Sequence, residues 1–80
     1  MKRERGSTIE RVLDILDTVA ASTKPLSATE INEALNLPKA TAHRLCAKLE
    51  ARGYLLKRID GTSYQAGNRL FDVAVGVLAN

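Results

Sequence analysis

Four stretches of the chain space their apolar residues at the three- and four-residue intervals of a helix. The first opens on Ser7-x-x-Glu10, a capping box in which a hydroxyl and a carboxylate satisfy leading backbone amides, and continues with Ile9, Val12, Leu13, Leu16 and Ala20 on one stripe. This predicts a helix over 8–21 with that stripe as its core face, ended by the stretch leading to Pro25. Ser27 and Glu30 repeat the capping box, and Leu26 and Ile31 stand where a hydrophobic staple places them, so a short second helix runs over 28–35. Asn36 tolerates the left-handed conformation that ends a helix, Leu37 tucks back into the core, and Pro38 suits the first turn of a third helix over 39–52. Gly53 stops that helix. The segments 54–59 and 62–66 then read as strands around Asp60-Gly61, a pair suited to a two-residue type I′ turn. From Asn68 onward Leu70, Phe71, Ala74, Val77 and Leu78 form a last helical stripe, which Val73 and Val75 widen.

Two short helices joined by so tight a turn cross steeply, which defines a helix-turn-helix unit. The predicted fold is mainly α with a small β-hairpin: a winged helix-turn-helix of three helices, a two-stranded wing and a C-terminal linker helix. The expected organisation is a basic tail over 1–6, the winged unit over 7–67 and a linker or dimerisation helix over 68–80. A lone surface helix keeps a polar face, and the last helix has almost none, so Leu70, Phe71, Ala74, Val77 and Leu78 are expected to meet a second copy of the chain. A two-fold pair relates the two copies' third helices by symmetry, presenting them side by side.

The third helix raises the question of function. Ala42, Leu45, Cys46 and Leu49 share a core stripe, while Ala40, His43, Arg44, Ala47 and Lys48 fall opposite, flanked by Lys39 and Thr41. Small residues at Ala40 and Ala47 let another surface approach the backbone while long side chains reach past it. Charge sharpens the picture. The net +3 is unevenly spread: residues 39–58 carry +5, against −3 over 7–38, +2 over 1–6 and −1 over 59–80. Clustered Lys and Arg gain from releasing the counterions condensed on a polyanion, so double-stranded DNA is the expected partner. Lys39, Thr41, His43 and Arg44 are assigned to base edges or adjacent phosphates, with Ala40 permitting the close approach and Lys48 on the backbone. Ser27 is first the cap of the second helix, and its hydroxyl or a nearby backbone amide is a candidate for a phosphate contact. Lys57 and Arg58 on the wing point to opposite faces, so one of the two is expected to share the ligand. The competing reading of Arg44 is an ion pair with Glu33, and that of the whole domain is a winged helix used for protein contact rather than specific DNA binding.

Other classes recede. No apolar run approaches the roughly 20 residues that span a bilayer, and the basic N-terminus has no apolar stretch behind it, so the expected location is the cytoplasm without a membrane partner. Cys46 is the sole cysteine and lies on the core stripe, which excludes an internal disulfide and argues against a metal site or cofactor. His43 has no base, orienter or nucleophile at reach, so no catalytic residue is assigned. Tyr54 and Tyr64 are read as wing packing.

The order of elements, together with "LPKATAHRL", "LEARGYL" and a G-x-x-L after the wing, resembles the N-terminal winged helix-turn-helix domain of the IclR family of bacterial transcription regulators over nearly all of residues 7–80. The resemblance implies the DNA-binding module of a homodimeric regulator, a repressor in the first reading, whose effector-binding C-terminal domain is absent from this chain. Asn36 stands where the family often has Gly, Ala42 and Cys46 are smaller than its usual Val and Leu, and Ala66 replaces a frequent Leu.

Overall fold

A computed structural model describes residues 7–80; the basic tail expected over 1–6 lies outside them. The order of elements is α1 (Thr8–Ala21), β1 (Leu26–Ser27), α2 (Ala28–Leu35), α3 (Lys39–Ala51), β2 (Leu55–Lys57), β3 (Ser63–Ala66) and α4 (Asn68–Ala79).

Local chemistry sets the helix ends. The Ser7 hydroxyl accepts the Glu10 amide at 3.0 Å at the start of α1. At α2 the capping box is complete: Ser27 Oγ accepts from the Glu30 amide at 3.0 Å, and the Ser27 amide donates to Glu30 Oε1 at 2.8 Å. That Ser27 amide, with the Lys24 ammonium second, holds the Glu30 carboxyl below its ordinary range. Asn36 ends α2 in the left-handed region at φ 54°. Asn32 secures the turn beyond it, accepting the Leu37 amide on its carbonyl and donating its side-chain amide to the Leu37 carbonyl. α3 begins at Lys39 as expected, with Pro38 at its N-cap, where its fixed φ leads the chain in and its carbonyl accepts the Ala42 amide. At the far end Gly53 adopts φ 84°, its amide reaches the Glu50 carbonyl, and the Tyr54 amide reaches the Leu49 carbonyl at 2.9 Å. This paired closure needs a left-handed residue at position 53, which glycine supplies without a Cβ penalty.

The core is assembled from one face of each element: Ile15 and Val19 of α1, Ala28 and Ile31 of α2, Leu45, Cys46 and Leu49 of α3, then Leu37, Leu55 and Tyr64. The α3 stripe is buried as expected. On α1 the face is rotated: Ile15 and Val19 are buried and Val12 and Leu16 half-buried, whereas Ile9 is 72% exposed, Leu13 51% exposed and Ala20 exposed. Apolar residues cover so much of the α1 circumference that their spacing leaves the phase open, and packing selects the side carrying Ile15 and Val19.

The wing also departs from expectation. It is a three-stranded antiparallel sheet in the order β1-β3-β2, because Leu26 and Ser27 pair with Tyr64 and Ser63. The hairpin register matches the predicted pairing, with Lys57 opposite Tyr64 and Leu55 opposite Ala66. The tight type I′ turn does not form. Only Gly61 has positive φ, its amide returns to the Arg58 carbonyl, and Asp60 Oδ1 accepts the Thr62 and Ser63 amides at 2.9 and 3.2 Å. By taking those amides the Asp60 carboxylate opens the pair predicted between residues 59 and 62 into a wider loop. The Thr62 amide in turn holds the Asp60 carboxyl below its usual range.

Helix α4 leaves the sheet through Gly67 and packs beside β2, but none of its residues is buried. An apolar helix of this kind has two sides to cover, and α1 is the candidate for one of them, yet within a single chain no residue of α4 is buried on either side.

Candidate functional site

The outward face of α3 carries Lys39, Ala40, His43, Arg44, Ala47 and Lys48, all exposed, with Thr41 half-buried at its edge. Leu45, Cys46 and Leu49 anchor the opposite side in the core, so this face has a fixed orientation. Burial pushes the Cys46 thiol up to about 11, which keeps it protonated and unreactive at neutral pH, as its packing role requires. Among the described residues no ion pair joins Arg44 to Glu33; the exposed pair near the start of α2 is Lys24 with Glu30 at 3.3 Å.

The basic residues divide over two edges of α3. On one edge His43 faces a recess of about 260 Å³ that is shared with the start of α2 and the wing, lined also by Ser27, Thr29, Lys57 and Thr62. Lys57 sits there with its ammonium 5.5 Å from the centre of the Tyr64 ring, its partner across the hairpin. Arg58 points to the other face of the wing, where its Nη1 donates to Gln65 Oε1 at 3.1 Å. Of the two wing cations, Lys57 is therefore the one that joins α3. On the opposite edge Arg44 and Lys48 border a larger groove of about 430 Å³ between α3 and α1.

The structure thus brings Ser27, His43 and Lys57 together, sets Arg44 and Lys48 along the other edge, leaves Lys39 and Ala40 on the helix's exposed first turn, and turns Arg58 away. Sequence reasoning missed three contributors. Arg52 continues the Arg44 and Lys48 row at four-residue spacing, a signal present in the sequence. Thr29 and Thr62 line the wing recess only because the fold brings α2 and the loop after β2 to one place, and no local pattern announces that. The last-helix residues Phe71, Ala74, Val77 and Leu78 are exposed and Leu70 half-buried.

A recognition-type helix flanked by a short cap-to-cap helix and a three-stranded wing defines the winged helix-turn-helix class. Residues 8–58 match the profile of the IclR helix-turn-helix domain, and the chain belongs to that family of transcriptional regulators. It is 31% identical over 78 residues to the protein described as "Probable transcriptional regulator SauR" of Cupriavidus necator, covering 98% of this chain and 31% of SauR. The Agobacterium tumefaciens repressor BlcR superposes with a TM-score of 0.80 at 33% identity, over 90% of this chain and 28% of BlcR. The Thermotoga maritima IclR superposes with a TM-score of 0.81 at 27% identity, over 91% and 29%. The chain spans less than a third of the length of these relatives. Among the described residues no helix is long and apolar enough to cross a membrane, and no group of three or more His, Cys, Asp or Glu is placed to hold a metal ion.

Proposed function

We propose that this chain is the operator-binding module of an IclR-type repressor acting in the cytoplasm, with residues 7–67 as the DNA-binding unit and 68–80 as a dimerisation helix. The observation that carries the reading is the outward face of α3, where Ala40 and Ala47 leave the backbone open between long basic side chains. A helix of that shape fits the major groove. Arg44, His43 and Thr41 then address base edges, Lys39 and Lys48 address phosphates, and Ser27 and Lys57 hold a backbone segment beside the wing recess. Arg58, held on the other wing face by Gln65, takes no part in this contact. The exposed Phe71, Val77 and Leu78 support pairing of two copies through α4, which sets the two α3 helices on a near-palindromic site. The effector-binding function belongs to a further domain of the whole protein.

The test is a salt series with a duplex selected from a random pool. With about four phosphates neutralised per domain, the slope of log affinity against log salt is roughly −3 to −4. A flat response, with binding retained, favours the protein-contact reading instead.

A further inference from the structure

The groove between α1 and α3 has a chemistry that the operator reading does not use. Its floor is apolar, made by Val12 and Leu16 of α1 and Leu45 and Leu49 of α3, with the half-buried Tyr54 at its side. Its rim is cationic: Arg44, Lys48 and Arg52, at successive four-residue steps, all border it, and among the described residues no acid lines it. Its volume of about 430 Å³ lies within the range of small-molecule sites. A greasy trough under three positive charges selects for an amphipathic anion, with the apolar body on the leucines and the anionic head among the cations.

We propose that this groove binds a small apolar carboxylate, and that the bound ligand competes with DNA by engaging Arg44 and Lys48. The second half rests on the operator reading of those two residues; the first does not. Segments of the chain itself are poor occupants. The 1–6 tail carries +2, the same sign as the rim, and α4 brings one Arg and one Asp, hence no net charge to match it. Ligand and DNA use opposite aspects of the same two side chains, since both are long enough to turn from the outward face toward α1. A ligand site placed here therefore acts on readout directly, with no movement of the helices.

The experiment is a titration of the 80-residue chain with decanoate below its micelle concentration, followed by methyl and amide chemical shifts, with decanol and decyltrimethylammonium as matched neutral and cationic probes. Saturable shifts confined to Val12, Leu16, Leu49 and Tyr54, with affinity falling in the order decanoate, decanol, ammonium, are expected. Arg52→Gln, outside the residues assigned to DNA, is expected to weaken decanoate roughly three- to fivefold while leaving decanol unchanged. Equal binding of the three probes, or shifts centred on Phe71 and Leu78, means general adsorption to apolar surface and overturns the proposal. Shifts of the same groove residues on simple dilution mean that a second copy fills it, which also overturns it. Decanoate held in the groove without loss of affinity for the selected duplex upholds the site and removes Arg44 and Lys48 from the DNA contact.

Discussion

Gly67 is the hinge between the wing and α4, and replacing it with Ala isolates one steric contact. Its φ of −90° and ψ of 170° suit any residue, so the backbone conformation itself gives glycine no advantage. The neighbourhood does. A Cβ added at Gly67 falls 2.3 Å from the carbonyl oxygen of Gly53 and within about 3 Å of the Gly53 and Leu55 carbonyl carbons. These are backbone atoms at the closure of α3 and the start of β2, so relief needs a shift of about 1 Å in one chain segment against the other. Two hydrogen bonds bridge that contact, from the Gly67 amide to the Tyr54 carbonyl and from the Arg69 amide to the Gly53 carbonyl, each at 3.0 Å. Losing or stretching both costs about 1 kcal/mol apiece, and overpacking adds about 1–3 kcal/mol. The lower entropy of the unfolded alanine chain offsets at most about 1 kcal/mol. The net loss is roughly 2–4 kcal/mol, or about 10–25 °C in melting temperature for a domain of this size.

Gly61→Ala is the matched control. Gly61 has φ 77° but nothing within 4 Å of the place an alanine methyl would occupy, so its alanine variant suffers only left-handed strain of about 1–2 kcal/mol. Reasoning from φ alone ranks Gly61 as the more sensitive site; reasoning from contacts ranks Gly67 first. Thermal and urea melts followed by far-ultraviolet circular dichroism give the order. A Gly67→Ala variant within 0.5 kcal/mol, roughly, of the parent would refute the packing argument.

Other outcomes follow from the same geometry. Arg44→Ala is expected to weaken binding to a selected duplex by about 1–3 kcal/mol with an unchanged melt, whereas Leu45→Ala acts through the core and lowers stability by about 2–5 kcal/mol; the opposite pattern means that the face of α3 has been assigned wrongly. Glu30 has its folded pKa lowered, so the stability it contributes is fully present above its ordinary value of 4.5 and is lost as pH falls through the lower folded value. A side-chain carboxyl titration with its midpoint at or above 4.5 contradicts the observed capping box. On a selected duplex, sedimentation is expected to find two chains per near-palindromic site, and one chain per site at saturation removes α4 from the dimer proposal.

What could be read in the sequence was whatever depends on a few neighbouring residues. Ser7, Ser27 and Glu30 fix helix starts through their own hydrogen bonds, and Asn36 and Gly53 fix ends through backbone conformations that few residues adopt, so α1, α2 and α4 begin where expected and α3 ends one residue short. The buried stripe of α3 was equally legible, because polar residues on its other side leave one phase. On α1 they do not: Ile9, Leu13 and Ala20 compete with Ile15 and Val19, and only the docking of α2, α3 and the sheet chooses between them. Strand β1 is two residues long, too short for any alternation, and exists because β3 offers it a free edge.

The candidate site shows the same division between local and global information. In the sequence, residues 39–58 form a single basic block. In the fold that block has three directions: Arg44, Lys48 and Arg52 along the α1 edge, Lys57 beside His43 in the wing recess, and Arg58 behind the wing on Gln65. Strand alternation requires Lys57 and Arg58 to part, but which of them faces α3 depends on the pairing of Lys57 with Tyr64. Tyr64 is 5% exposed, so its ring must point into the core, and its cross-strand neighbour leans over the same side. The burial of one tyrosine thus decides which wing cation works with the recognition helix. A one-residue slip of β2 against β3 would exchange Lys57 for Arg58 in the recess, at the cost of bringing Leu55 out of the core. The register that protects the core is the register that aims Lys57.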